Sequence, residues 1–496
     1  MHPIPGTEQP GPWWWESPRF QAVSWLKADS GTAAFSRPGR ASGCCAIPPT
    51  STPIGAYPLR EDHPLGALRR RQPLGGLSQK GIKTERAKGM SKIFFITPPA
   101  QGHFNPVLPV MQELVRRGEQ VICYNNEEFR PQIEKTGVEF RAYPTTILTA
   151  KAISEVLADG DLSKPHLLMM QATESLTPFT LNALAQEQCD LVIFDSLAIW
   201  GKIASKSLHL KAAATISHFV FDLASMNLSF REYLTMMGQF FSQVPNLLRE
   251  RRRLIKRFGN AYPLEQPLFP MRDKLNIVFT ARELQPKASI IDDSFHFVGP
   301  SINPQIRSED FPFDALKQKP MIYLSLGTVH TNTAFYRTCF KAFADHPAQF
   351  VLAVGKHTNI AELGAIPPNF LVRTFVPQLE ILQRADVFIT HGGINSVHEG
   401  LYYGIPLILI PHQFEQLLNA RCVTAREAGL IIDEQIQHKP VTAEKLRLSL
   451  QEVLDNPHYT ENAKAIQKVL RETGGFQQAV DVIQAYLAES PGASAH

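Results

Sequence analysis

Residues 375–419 read FVPQLEILQRADVFITHGGINSVHEGLYYGIPLILIPHQFEQLLN, and the fold can be worked out from this stretch. Asp386 to Thr390 is a short apolar run with the look of a buried strand. His391-Gly392-Gly393 follows at once, and Ile394 to Tyr403 has the periodicity of a helix. A strand, a glycine pair and a helix N-terminus together form an anion site. Glycines let the backbone come close, first-turn N–H groups lack internal partners, and the helix dipole favours negative charge there. Asn395 and Ser396 add side-chain donors, His391 adds a third, and Glu399 lies one turn on, spaced to accept from a sugar hydroxyl. The residues therefore suit a phosphorylated ligand carrying a ribose. They also fit an ordinary turn in which Gly-Gly and Asn-Ser only cap a helix, because loose glycine motifs recur widely.

The neighbouring residues favour the ligand site. Phe375-Val376-Pro377-Gln378 lies upstream and Glu415-Gln416 downstream, each just past an expected strand end, and in open α/β sheets ligands bind at those carboxyl ends. The whole stretch resembles the donor-binding signature of nucleotide-sugar-dependent glycosyltransferases of the two-domain GT-B kind. Within the UDP-glycosyltransferase superfamily it is most similar to the bacterial macrolide and natural-product enzymes. The resemblance implies that Phe375 and Val376 belong to the donor site, with Phe375 in place of the tryptophan that stacks on the uracil in plant members. It implies Gln378 and Glu399 near the ribose, and His391, Gly393, Asn395 and Ser396 on the pyrophosphate. Glu415 with Gln416 would hold the sugar hydroxyls. Three departures stand out: Phe375 for Trp, Ile394 for a second Trp, and Glu415 for Asp.

The chain has 496 residues, enough for two domains. Hydrophobic residues make up 44% and charged residues 19%, a globular balance. A formal net charge of +4 gives nucleic-acid binding no electrostatic support. Six cysteines without CxxC spacing suit a reducing, cytoplasmic compartment and no metal site. No run of eighteen apolar residues occurs, so no membrane span is expected.

Residues 1–89 differ from the rest. They are rich in Pro, Gly, Ser and Arg, lack periodicity, and hold Trp13, Trp14, Trp15 and Trp25. They are expected to be either a disordered tail or upstream sequence preceding a natural start at Met90, which opens the strand-like MSKIFFITPP. Short apolar strands then alternate with longer helical segments. Strands are expected at 93–97, 120–124, 138–142, 191–194 and 212–216, with helices such as 106–117 and 166–188 between them. A second alternating run begins at Met321 and continues through 350–354, 371–376, 386–390, 407–410 and 430–432. Such alternation argues for doubly wound parallel sheets. The expected fold is α/β of GT-B type, two facing Rossmann-like domains with a cleft between them. The expected boundaries are 90–296 for an acceptor-binding domain, 297–315 for a Pro-rich linker, and 316–474 for a nucleotide-sugar-binding domain. Residues 475–496 form a helix crossing back and a tail.

His103 lies in Pro98-Pro99-Ala100-Gln101-Gly102-His103-Phe104-Asn105-Pro106, at the end of the first strand. Asn105-Pro106 is expected to be the N-cap and N1 pair of the next helix. A lone histidine at such a turn is often structural, but the resemblance identifies GHxxP as the position of the catalytic base. Imidazole titrates near pH ~6.5 and can take a proton from an acceptor hydroxyl. A base of this kind needs an orienting carboxylate. Asp195 ends another strand of the same domain, on the same sheet edge, though Asp195-Ser196 could equally cap the following helix. The resemblance gives Asp195 the orienting role. The Ser325-Leu326-Gly327-Thr328 loop is expected to join His391 and the helix N-terminus in meeting leaving-group charge. Asp159-Gly160-Asp161, nominally a metal-binding DxD, reads as a polar turn. Phe219, Phe221, Met226 and Met236 form an apolar set suited to a greasy acceptor, or else ordinary core.

The expected activity is thus inverting, metal-independent transfer of a hexose, glucose foremost, from a UDP-sugar to a hydroxyl of a small lipophilic molecule such as a macrolide or polyphenol. The UDP-sugar serves as co-substrate, no cofactor is needed, and the oligomeric state is left open. The alternatives are a sterol or lipid glucosyltransferase at a membrane surface, or a catalytically silent sugar-nucleotide-binding partner protein.

Overall fold

The computed structural model describes residues 90–144, 148–157, 163–265, 270–307, 311–316, 319–327, 332–356, 358–437 and 439–489. Residues 1–89, the Asp159-Gly160-Asp161 turn and Thr328 lie outside them. Two parallel sheets organise the rest. The first takes β1 Lys92–Ile96, β2 Gln120–Asn125, β3 Glu139–Ala142, β4 Leu191–Asp195, β5 Ala212–Ile216, β6 Asn276–Val278 and β7 Phe295–Phe297. Their spatial order is β3-β2-β1-β4-β5-β6-β7. The second takes β8 Met321–Ser325, β9 Gln349–Ala353, β10 Phe370–Arg373, β11 Val387–Thr390, β12 Leu407–Leu409 and β13 Gly429–Ile431. These run in the order β10-β9-β8-β11-β12-β13. The two sheets and the helices around them make the expected pair of Rossmann-like lobes.

The strands are continuous apolar runs because both faces of each sheet are covered. Phe94, Ile96, Val192 and Phe194 point to one face of the first sheet, where Trp200, Ile203, Leu176 and Leu254 pack. Ile93, Phe95 and Ile193 point to the other, against Phe104, Val107 and Met111. β6 and β7 carry three residues each, too short for sequence periodicity to register. Phe297, expected to open the linker, instead ends β7.

Each sheet reverses its winding once, between β1 and β4 and between β8 and β11. Such switch points open a crevice at the carboxyl ends of the strands. At both, the pairing is in register up to that edge: Ile96 opposite Phe194 in the first sheet, and Ser325 opposite Thr390 in the second.

The lobes are joined by packing and by the last helix. Phe219, Ala281 and Leu284 of the first lobe share one core cluster with Val397, Leu401 and Ile394 of the second. His398 and Thr280 share a buried hydrogen bond of 2.9 Å between Nε2 and Oγ1. Burial alone holds the His398 pKa down to about 3, so the ring is neutral there. The helix Gly475–Ala488 lies against helix Gln101–Arg116 and contributes Ala479, Val480 and Ile483 to the first lobe's core. Arg117 Nη1 meets Asp481 Oδ1 at 2.5 Å beside them.

Candidate active site

His103 lies in the first turn of helix Gln101–Arg116 and Asp195 ends β4. The first switch point brings them together: His103 Nδ1 is 3.0 Å from Asp195 Oδ2. A carboxylate can only accept, so Nδ1 carries the hydrogen and Nε2 keeps its lone pair. Asp195 is fully buried and His103 is 20% exposed, which leaves the base open on one side. The other oxygen, Oδ1, accepts from Leu197 N at 2.9 Å. Asp195 therefore holds the histidine and closes the turn, whereas the next helix is capped by Ala198 and not by Asp195-Ser196. Burial by itself disfavours an imidazolium at His103. The charge and hydrogen bond of Asp195, with Glu415 at longer range, outweigh it and hold the pKa above the ordinary 6.5.

One local expectation is corrected. The helix begins at Gln101, with Ala100 as an unadorned cap, so Asn105-Pro106 is not its N-cap and N1. Pro106 and Pro109 both lie inside it. The ring of Pro106 has no N–H to offer the carbonyl of Gly102, four residues back. That oxygen instead accepts from Asn395 Nδ2, across the cleft, at 2.8 Å. The partner in the second lobe replaces the missing helical hydrogen bond, and the base's own turn is thereby tied to the donor helix.

In the second lobe, β11 runs into His391-Gly392-Gly393 and helix Ile394–Tyr402. Gly392 has φ +87°, which only glycine adopts freely, and Gly393 does not. Gly393 is needed for room: a Cβ on it would come within 2.5 Å of His391 Nε2. Gly327 at φ +78° faces the same ring, and a Cβ there would lie 2.7 Å from His391 Cε1. The imidazole is thus seated between two glycines at the second switch point. Thr390 Oγ1 is 3.3 Å from its Nδ1, and Ser325 Oγ accepts from Gly327 N at 3.3 Å. Ser396 is buried in the first helical turn.

Tyr323 donates its hydroxyl hydrogen to Gln378 Oε1 at 2.9 Å, and Gln378 Nε2 donates to Glu399 Oε2 at 2.6 Å. This chain fixes the amide orientation of Gln378 and joins two residues that the sequence placed near a ribose. Phe375 is 47% exposed just past β10, while Val376 is buried at 2%. Glu415 opens helix Phe414–Thr424 and its Oε1 accepts from Asn419 Nδ2 at 2.7 Å. Burial raises its pKa against the opposing pull of Asn419 and His103. Gln416 Oε1 accepts from His412 N at 2.9 Å, bracing its loop.

The acceptor set is only partly a pocket wall. Phe219 is 2% exposed and packs edge-on against His398, with ring centroids 5.6 Å apart, so it belongs to the lobe interface. Phe221 lies against the same cluster and 6.1 Å from Phe219. Met226 and Met236 are half-buried. Sequence reading passed over His218, which stands two residues beyond β5, on the edge that carries Asp195. Its position at a strand's carboxyl end was the available signal.

The comparisons with known proteins agree with this geometry. Residues 338–473 match the family model for the erythromycin biosynthesis protein CIII-like C-terminal domain. The uncharacterized UDP-glucosyltransferase YojK of Bacillus subtilis (strain 168) is 33% identical over 405 residues, covering 79% of this chain and 97% of the relative. The chain belongs to the UDP-glycosyltransferase superfamily. The oleandomycin glycosyltransferase of Streptomyces antibioticus is 28% identical to this glycosyltransferase, over 78% of this chain and 89% of the relative. Among solved structures, the glycotransferase of kitacinnamycin superposes with a TM-score of 0.67 at 27% identity, covering 80% of this chain and 98% of that one. The glycosyltransferase described here is thus a GT-B enzyme related to macrolide and natural-product glycosyltransferases. No helix among its described residues is long and apolar enough to cross a membrane.

Proposed function

We propose that this glycosyltransferase moves a hexose, glucose foremost, from a UDP-sugar to a hydroxyl of a small lipophilic acceptor, a macrolide or polyphenol, with inversion at the anomeric carbon. One observation carries the reading: the His103–Asp195 pair stands at one switch point, and Asn395 of the other lobe is hydrogen-bonded to the turn that carries the base. A sugar held by Glu415 and Gln416 would lie between the base and the diphosphate site.

His103 Nε2 removes the acceptor's hydroxyl hydrogen while the oxygen attacks the anomeric carbon, and the bond from that carbon to the diphosphate breaks on the opposite face. Asp195 stabilises the imidazolium that forms. Negative charge gathers on the leaving UDP at the N-terminus of helix Ile394–Tyr402, beside His391 and Ser325. Metal is not required in this scheme. The names of its relatives, with erythromycin, oleandomycin and kitacinnamycin among them, support a natural-product acceptor.

A screen of purified protein against UDP-glucose and other nucleotide sugars with macrolide and phenolic acceptors tests this, read by product mass. Proton coupling at the anomeric centre then reports the configuration. Addition of one hexose with inverted configuration is expected; a retained configuration, or no hexose added to any acceptor, would overturn the proposal.

A further inference from the structure

Beside the base lies a second imidazole that the reaction above does not use. The ring of His218 is 6.3 Å from that of His103, centroid to centroid, with planes inclined at 61°. His218 Nδ1 is 2.9 Å from the carbonyl oxygen of Phe219. A carbonyl accepts only, so Nδ1 bears the hydrogen and Nε2 keeps its lone pair. The neighbour of Nε2 is Ser196 Oγ, at 3.5 Å. That is the outer limit of a hydrogen bond, well beyond the usual range, so the contact is weak and a better donor can replace it.

Charge supports the same assignment of protons. Burial lowers the His218 pKa, the Phe219 carbonyl and Asp195 oppose it, and His103 and His166 add to the lowering. The ring is neutral at pH 7 and can only accept at Nε2. Two neighbouring histidines thus each keep an unprotonated Nε2, with Asp195 and Phe219 fixing the hydrogens on Nδ1. The first takes a proton during transfer. The second has no proton to take, but can accept a hydrogen bond from a hydroxyl next to the reacting one. With N···O distances of about 2.8 Å at each ring, two oxygens on adjacent carbons can meet both imidazoles together.

We propose that His218 contacts the acceptor and gives this enzyme a preference for molecules with two neighbouring hydroxyls, a catechol or a vicinal diol. This rests on His103 being the base. Ser196 Oγ, 3.5 Å away, is the weak donor that faces this lone pair when no acceptor is bound.

The test uses the full chain and three probes: catechol, its mono-O-methyl ether, and phenol. Calorimetry with UDP-loaded protein reads their binding, and UDP release from UDP-glucose reads turnover. Wild type should bind and use catechol about tenfold better than its methyl ether or phenol. His218→Phe should abolish that preference, bringing catechol down to the level of its methyl ether and phenol. His218→Gln, whose amide oxygen can still accept, should keep most of it. Equal affinity of wild type for all three probes, failure to bind any of them, or a preference that survives in His218→Phe, would overturn the inference. Catechol bound preferentially but never glycosylated would instead count against the transferase reading, since binding is read separately.

Discussion

Asn395 donates a hydrogen bond to the carbonyl oxygen of Gly102 at 2.8 Å, linking the donor helix to the turn that carries His103. Pro106 makes this bond possible by withholding the N–H that would otherwise occupy the carbonyl. A residue that the sequence placed on the pyrophosphate therefore also senses the position of the base, one residue from Gly102.

Asn395→Ala should lower kcat roughly three- to tenfold, the worth of one such hydrogen bond, and raise the donor KM, with an unchanged melting temperature. Asn395→Asp should be worse than alanine. It cannot donate to Gly102, and it adds negative charge where a diphosphate sits. Steady-state kinetics with varied UDP-sugar decide this; an aspartate variant as active as wild type would refute the bridge.

His103→Ala should reduce kcat by roughly 10²–10⁴-fold while UDP still binds with near wild-type affinity in calorimetry. If turnover survives unchanged, another group is the base.

The pH dependence follows from the same pair. The reactive form is neutral His103, and its pKa is raised, so kcat/KM should fall on the acid side with a midpoint above 6.5. Asp195→Asn removes the charge that opposes burial. The acid limb should then move to lower pH even as the maximum rate drops. Profiles between about pH 5 and 9 separate the outcomes, and a limb that stays in place in Asp195→Asn would show that it belongs to a different group.

Gly393→Ala should raise the donor KM about tenfold or more, because the added methyl displaces the His391 ring from its seat between Gly393 and Gly327. The colliding atom is the far end of a side chain, so stability should change little. A normal KM in this variant would mean that His391 does not contact the donor.

The chain Tyr323–Gln378–Glu399 gives a graded prediction. Glu399→Ala should weaken UDP and plain uridine by the same factor, roughly tenfold or more for a lost charged hydrogen bond. Tyr323→Phe should weaken both by a smaller factor, since it only frees the Gln378 amide to turn. Loss of UDP affinity with uridine unaffected would move Glu399 from the ribose to the phosphates.

Much of this was legible in residue order. Continuous apolar runs such as KIFFI and LVIFD can only be strands covered on both faces, and their alternation with helices dictates parallel winding. Once the winding is parallel, His103 and Asp195 must share an edge, and so must Ser325 and His391. The glycines of HGG pointed to a close backbone approach at that turn. Helix boundaries were less legible: proline at 106 suggested a start, yet it lies well inside the helix because a partner outside the helix replaces its missing hydrogen bond.

Sequence alone determined the parallel winding of both domains and the edge on which each chemical residue stands. Those are consequences of local periodicity and chain order. Only the tertiary structure decided which side chains meet across the cleft, as Asn395 meets Gly102 and His398 meets Thr280. It also decided that Phe219 fills an interface and that His218 stands beside the base. These depend on the angle and spacing between lobes, set by hundreds of packed atoms far apart in sequence, and no short-range pattern encodes them.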